Sequence, residues 1–134
     1  MFEVTIERTF VARHGLRYYK GETEPLHEHT WRVWITVSGE LLDPSGCLVD
    51  FIDLDSWFND AIADWNDQVL NDTSPFKNTR DVRPLSPSAE NVARAIYESI
   101  ASSIPEEVRL IRVEVEEEKG CRASYYETTE ERSS

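Results

Sequence analysis

The sequence has little of several features that mark specialised classes of protein. Its 134 residues include two cysteines, Cys47 and Cys121, which are too few for a disulfide framework and are expected to be packed or idle thiols. No apolar run approaches membrane-spanning length, and the first residues lack the basic and then apolar pattern of a signal peptide. We therefore expect a cytoplasmic protein with no membrane partner.

Basic residues are also scarce. The chain has 14 Lys and Arg against 26 Asp and Glu, for a formal net charge of -12. Such a surface repels phosphate backbones, so nucleic acid is not an expected partner. The 40% of hydrophobic residues suffices for one globular core. We expect a single domain over residues 1–127 and a disordered polar tail over 128–134.

Hydrophobic spacing predicts the element order β-β-α-α-β-β. Alternation predicts strands over 1–14 and 27–39 and a last strand over 121–126. Helical spacing from Leu54 to Trp65 predicts the first helix, and Ser86-Pro87 is expected to start the second, which ends at Pro105. The core face of the strand between the second helix and the last strand carries Ile111, Val113, Val115 and Glu117.

Histidine is rare, and its placement suggests a metal site. Of the three histidines, His27 and His29 project from the same face of one strand, roughly 7 Å apart. His14 ends the apolar face of the first strand, so an antiparallel hairpin would bring it opposite the other two. Three imidazoles are the ligand set of a catalytic zinc site, although iron or nickel would also suit them. The alternative is that each is an ordinary polar or core residue.

Glu117 continues an apolar strand face, where a carboxylate is costly without partners. One interpretation is that the strand has simply reached solvent there. The other is that the carboxylate accepts two hydrogen bonds from an N–H pair of a heterocycle.

Taken in order, several segments resemble the 6-pyruvoyl-tetrahydropterin synthase family, which includes the 6-carboxy-tetrahydropterin synthases. Residues 10–14 (FVARH) are similar to its Phe-x-Ala-Ala-His, and residues 27–29 (HEH) to its His-Gly-His. The other matching segments are 39–41, 46–51, 70–71, 87–90 and 113–117. No single motif is specific, but their order and spacing together are.

The resemblance implies the tunnelling fold, an α+β fold with a four-stranded antiparallel sheet and two helices on one face. It also implies a homohexamer built as a dimer of trimers, with the pocket between subunits. His14, His27 and His29 would hold Zn²⁺, while Glu117, helped by Ser88, would bind the pterin ring. The implied substrate is 7,8-dihydroneopterin triphosphate. The triphosphate candidates are Arg13, Arg17, Lys20 and Lys77, each equally explained by surface solvation.

The sequence departs from the family at its proton-transfer groups. Thr23 stands where the family has its cysteine base, and Asn66-Asp67 replaces an Asp-His pair. Glu24 precedes His27 by three residues, as in a subgroup that resembles aldolases and leaves 6-hydroxymethyl-dihydropterin. The candidate catalytic residues are therefore Glu24, Asp67 and Thr23, with Glu24 and Asp67 as the proton-transfer groups. Glu24 is equally explained as a loop carboxylate in an acidic protein.

Three functions remain open at this point. The first is a zinc-dependent lyase or synthase acting on a pterin side chain, with an altered reaction. The second is a non-catalytic, zinc-containing binder of a pterin or purine-like ligand, which the changed relay residues favour. The third is another zinc-hydroxide reaction on a small heterocycle.

Overall fold

The computed structural model describes residues 1–79 and 83–128. This part of the chain is an α+β fold, as the sequence predicts, with two helices and a mostly antiparallel sheet. The elements are β1 (Phe2–His14), β2 (His27–Gly39), α1 (Phe51–Ala61), β3 (Gln68–Val69), α2 (Ala89–Ala101), β4 (Arg109–Glu118) and β5 (Cys121–Tyr125). The predicted polar tail, apart from Thr128, lies outside the described residues.

β1 and β2 form the long antiparallel hairpin that the alternation predicts. Phe10 and Trp31 are buried on its core face, and their rings stack with centroids 5.9 Å apart. The register is continuous to the loop end of the hairpin, where His14 pairs with His27. The strand ends that carry the histidines therefore meet.

The described sheet has five strands in the order β3-β1-β2-β4-β5, one more than the predicted four. The extra strand, β3, is two residues long and runs parallel to β1, beside Ala12 and Arg13. Two residues are too few to leave an alternating pattern, so periodicity cannot reveal such a strand.

An irregularity in β4 changes which side chain enters the core. Its register against β2 shifts between Thr36 and Val37. Leu110 is consequently buried in line with Val113, while Ile111 is only half-buried. Leu110 thus takes the core position expected of Ile111, because one extra residue in a strand reverses the alternation beyond it.

The second helix begins later than the sequence suggests. α2 starts at Ala89, and its N-cap is Ser88, whose hydroxyl accepts a hydrogen bond from Asn91 N at 3.2 Å. The expected cap, Ser86, instead accepts a hydrogen bond from Arg17 N in the loop after β1. Both serines are reasonable caps by residue type, and the tertiary contact decides between them.

Helices and sheet enclose one core. α2 packs against β4, β5 and α1. Arg8, which interrupts the apolar face of β1, is paired with Asp55 of α1, so a cation at this position ties the hairpin to the first helix. Among the described residues, no helix has both the length and the apolar character needed to cross a membrane.

Candidate metal centre and active site

Three histidine side chains converge at the loop end of the β1–β2 hairpin. His29 lies two residues beyond His27 on β2 and faces the same side. The ring centroid of His14 lies 4.7 Å from that of His27 and 5.2 Å from that of His29. The centroids of His27 and His29 lie 4.7 Å apart. The structure therefore brings together the three rings that the sequence pattern placed at one end of a hairpin.

Glu117 joins the three histidines from β4. Its Oε1 lies 2.5 Å from His14 Nε2 and 3.6 Å from His29 Nε2. The β4–β5 register shifts between Glu116 and Glu118, and such bulges re-aim a side chain. We call His14, His27, His29 and Glu117 the His–Glu cluster; one possible ligand atom from each lies within 4.8 Å of the others.

Backbone carbonyls orient two of the imidazoles. His14 is fully buried, and its Nδ1 lies 2.7 Å from the carbonyl oxygen of Pro87. His27 Nδ1 lies 3.1 Å from the carbonyl oxygen of Pro25. Because a carbonyl only accepts, each Nδ1 must carry the hydrogen, which leaves Nε2 of the neutral ring with a free lone pair. Histidine ligands of metals are commonly oriented in this way.

The cluster suits a metal ion of the zinc type. The Nε2 atoms of His14 and His29 are buried and make no aligned hydrogen bond with any described residue, since the Glu117 oxygen lies close but poorly directed. Burial lowers the pKa of His29, and the nearby Glu117 charge only partly opposes this, so the ring favours its neutral, metal-binding form. Three imidazole nitrogens are the protein ligand set of a catalytic zinc site, in which the fourth position stays open for water or substrate.

In metal-free protein, the contact between His14 and Glu117 predicts a pH-dependent stability. Burial lowers the pKa of His14. The Glu117 carboxylate and the Pro87 carbonyl raise it by more than burial lowers it, so the net shift is upward. The His14 contact is the largest cause of a lowered pKa for Glu117, and burial opposes it. The His14 contribution is present below its unfolded pKa and is lost as pH rises through the raised value. The Glu117 contribution is present above its unfolded pKa and is lost as pH falls through the lowered value.

We therefore expect the pair to stabilise zinc-free protein most between about pH 4.3 and 6.5, the unperturbed values of the two groups. The measurement is urea unfolding of wild type and Glu117→Gln across pH, with zinc removed. The difference between the two free energies of unfolding should peak in this window. A difference that is the same at every pH contradicts the assignment.

Glu24 lies beside the cluster but is not one of its four members. Its Oε1 accepts a hydrogen bond from Leu16 N at 2.9 Å, and its own N–H donates to Leu16 O at 2.9 Å. Its negative charge is close enough to contribute to the raised pKa of His14. Glu24 is half-buried, whereas the neighbouring Thr23 is exposed.

Asp67 lies at the edge of the sheet, outside the His–Glu cluster. Its backbone has a φ of 62°, in the left-handed region, and its N–H donates to Val11 O at 2.6 Å. The side chain of Asn66 accepts a hydrogen bond from Val11 N at 3.1 Å. These two bonds fasten the turn to β1, and the exposed Asp67 is not brought together with the histidines.

Ser88 is adjacent to the cluster through the backbone, since the preceding Pro87 carbonyl holds His14. Its hydroxyl caps α2, so Ser88→Ala should lower the free energy of unfolding by about 1 kcal/mol. If Ser88 also contacts the pterin, KM should rise while zinc content stays the same. Thermal unfolding and steady-state kinetics separate the two effects, and an unchanged KM removes the binding role.

Two residues have structural roles that the sequence did not predict. Asn71, in the 3-10 turn Leu70–Asp72 that follows β3, is buried and bonds to both backbone groups of Gly15. Arg17, a triphosphate candidate by charge, contacts the carbonyl oxygens of Asn71, Phe76 and Leu85 with its guanidinium group. For Asn71, the only signal in the sequence was its place in the matched segment 70–71. No local pattern predicted the bonds that Asn71 and Arg17 make.

A comparison with family models decides the classification. The model described as 6-pyruvoyl tetrahydropterin synthase matches residues 3–128. The chain belongs to the 6-pyruvoyl tetrahydropterin synthase family. This assignment agrees with the resemblance found in the sequence and with the observed α+β fold.

Two kinds of relative support the assignment to this family. The chain is 34% identical over 100 residues to the 6-carboxy-5,6,7,8-tetrahydropterin synthase of Bacillus subtilis, covering 74% of this chain and 65% of that enzyme. The match thus spans just under two thirds of the length of that relative. The structure of Caenorhabditis elegans 6-pyruvoyl tetrahydropterin synthase aligns with a TM-score of 0.71 at 23% identity, covering 96% of this chain and 98% of that one. The Plasmodium vivax synthase aligns with a TM-score of 0.70 at 16% identity, covering 95% and 98%. At such identities the structural matches establish the shared fold.

Proposed function

We propose that this protein is a zinc-dependent lyase or synthase that acts on the side chain of a dihydropterin such as 7,8-dihydroneopterin triphosphate. The observation that carries the proposal is the His–Glu cluster, assembled from three strands in a chain of the 6-pyruvoyl tetrahydropterin synthase family. Family membership supports a pterin side chain as the target. The cluster supports a metal as the source of Lewis acidity.

His14, His27 and His29 would hold the zinc ion through their Nε2 atoms. Zinc bound there would polarise a hydroxyl or carbonyl oxygen of the substrate side chain. The Pro87 and Pro25 carbonyls keep His14 and His27 in the tautomer that this ligation needs. The burial of His14 strengthens the charge interactions that this ring makes at the centre.

Glu24 is the proposed base in place of the family cysteine. Leu16 N–H occupies Oε1 of Glu24, which leaves Oε2 to take a proton from a side-chain hydroxyl of the substrate. Two of the structures with this fold are Plasmodium vivax 6-pyruvoyltetrahydropterin synthase variants described as catalytic-residue mutants, with a glutamate changed to cysteine or alanine. A glutamate is thus named as catalytic in that enzyme, which supports the same role for Glu24. The proposed reaction is aldol cleavage to 6-hydroxymethyl-dihydropterin, since Glu24 precedes His27 by three residues as in the aldolase-like subgroup.

Glu117 and Ser88 are the proposed pterin-binding groups. The Glu117 side chain is 26% exposed, so one carboxylate oxygen can turn toward the N–H pair of a pterin once zinc holds the imidazoles. The Ser88 hydroxyl accepts one bond from Asn91 N and keeps its own hydrogen to donate. Thr23 is the weakest of the catalytic candidates, because a hydroxyl with no activating partner is a poor base at neutral pH.

We also propose a cytoplasmic homohexamer, a dimer of trimers, on the strength of the family alone. Asp67 lies at the β1 edge, away from the cluster of its own chain. Its proposed role as a second proton-transfer group therefore belongs to the pocket of a neighbouring subunit. Sedimentation equilibrium measures the assembly, and a stable monomer contradicts this role.

The second candidate is a non-catalytic pterin or purine-like ligand binder that retains zinc. The loss of the family cysteine at Thr23 and of the relay histidine at Asp67 favours it. In this case Glu117→Ala would weaken pterin binding with no product formed by either protein.

The test is prolonged incubation of zinc-loaded protein with 7,8-dihydroneopterin triphosphate, with every pterin product identified by mass spectrometry. The matched control is the same mixture with zinc but no protein. A 6-hydroxymethyl product supports the proposed reaction, whereas a 6-carboxy or 6-pyruvoyl product assigns the parent chemistry. Unchanged substrate, with zinc content verified, contradicts the enzyme and favours the binder.

A further inference from the structure

We propose that Asn71 is a positioning residue that holds Glu24 beside the His–Glu cluster. The proposal rests on the function of Glu24 given above. The Asn71 side chain bonds Gly15 and not Glu24, so it would act on Glu24 through the backbone of residues 15 and 16. The chain of contacts runs from Asn71 to Gly15, from there to Leu16, and from Leu16 to Glu24.

The first link joins Asn71 to the residue that follows His14. The Asn71 side chain is buried; its Oδ1 accepts from Gly15 N at 3.0 Å and its Nδ2 donates to Gly15 O at 2.8 Å. Both bonds are buried, and they satisfy the two backbone groups of Gly15 with one side-chain amide. Asn71 thus continues the pairing along the β1 edge that β3 begins at Ala12 and Arg13.

The second link joins Gly15 and Leu16 to Glu24. A Cβ atom at Gly15 would lie 2.4 Å from the carbonyl oxygen of Glu24, so the two backbones approach as closely as glycine allows. Leu16 N donates to the Glu24 carboxylate, and Leu16 O accepts from Glu24 N. The place of the Glu24 carboxylate is therefore set by where residues 15 and 16 lie.

Arg17 reinforces the same connection from the other side. Its backbone N–H donates to Ser86 Oγ, and its guanidinium donates to the carbonyl oxygen of Asn71 at 2.9 Å. The guanidinium thereby holds the loop after β1 to the turn that carries Asn71, while the backbone N–H holds the same loop to the segment before α2.

The experiment compares Asn71→Ala with Asn78→Ala, which removes an exposed amide from the same connecting segment. In zinc-loaded Asn71→Ala we expect kcat to fall by up to about 10²-fold, the loss typical of a misplaced catalytic group, with KM and zinc content near those of wild type. Asn78→Ala should keep wild-type kcat. Asn71→Ser, whose smaller neutral hydroxyl can still bond one of the two Gly15 backbone groups, should fall between the two and guards against a variant that fails to fold.

A double-mutant cycle with Glu24→Gln separates positioning from general damage to the fold. If Asn71 acts through Glu24, adding Asn71→Ala to Glu24→Gln should reduce kcat little further. If Asn71→Ala lowers kcat in the Glu24→Gln protein by the same factor as in wild type, the proposal is overturned while the role of Glu24 stays intact. Full turnover by Glu24→Gln alone overturns both.

Amide hydrogen exchange gives a readout that does not need turnover. Asn71→Ala should speed exchange across residues 15–24 and leave the centre of β1 protected, with Asn78→Ala as the control. Unchanged exchange over 15–24 overturns the proposal even if the protein has no activity on the chosen substrate.

Discussion

Glu24→Gln should reduce turnover of the dihydropterin substrate by about 10²- to 10⁴-fold, the range that a positioned base contributes. Glutamine keeps the size of the side chain and an oxygen that can accept from Leu16 N–H, so the loop after β1 should retain its path. What is lost is the ability to take a proton at Oε2. The measurement is kcat with zinc content and melting temperature determined on the same preparation.

The matched control is Glu22→Gln, an exposed carboxylate in the same loop. It removes the same charge two residues away and should leave kcat unchanged. Normal turnover in Glu24→Gln, or an equal loss in both variants, contradicts a specific proton-transfer role for Glu24.

His29→Ala should remove most of the zinc affinity and, with it, the activity. Losing an outer hydrogen-bond partner of a zinc ligand typically costs about 10–100-fold in affinity, and losing a ligand should cost more. His29 is a better site for this test than the fully buried His14, because its side chain is 15% exposed and its truncation disturbs less of the core. Zinc content after dialysis against a weak chelator is the direct measurement.

Glu28→Ala is the control for this variant. Glu28 neighbours His29 on β2 but is exposed and, by the alternation of the strand, points to the opposite face. It should retain zinc and turnover. Wild-type zinc content in His29→Ala would place the metal elsewhere and contradict the three-histidine site.

The fold was predictable where an alternating pattern extends over many residues. Thirteen-residue strands such as β1 and β2 repeat the alternation often enough that their existence follows from it. The pairing of His14 with His27 needs the hairpin register as well, which alternation alone does not give. β3 could not be predicted, because its two residues are paired by backbone bonds alone. Leu110 lies in the core where alternation predicted Ile111, because the β2–β4 register shifts between Thr36 and Val37.

The candidate site, like the fold, was predictable only in part. The histidine cluster follows from residue spacing, because strand geometry puts His27 and His29 on one face whatever surrounds them. Alternation puts Glu117 on the core face of β4, but its approach to His14 depends on how β4 lies against the hairpin, and Asp67 is turned to the sheet edge by a left-handed backbone. The contacts of Asn71 with Gly15 join residues 56 apart in sequence, and no local pattern encodes such contacts.

The most direct test of the zinc-enzyme account is metal dependence of turnover on 7,8-dihydroneopterin triphosphate. Protein stripped with a strong chelator and shown to be folded should be inactive, and about one zinc ion per chain should restore full activity. His29→Ala treated in the same way should regain little. Undiminished turnover by the stripped, metal-free protein would contradict the account.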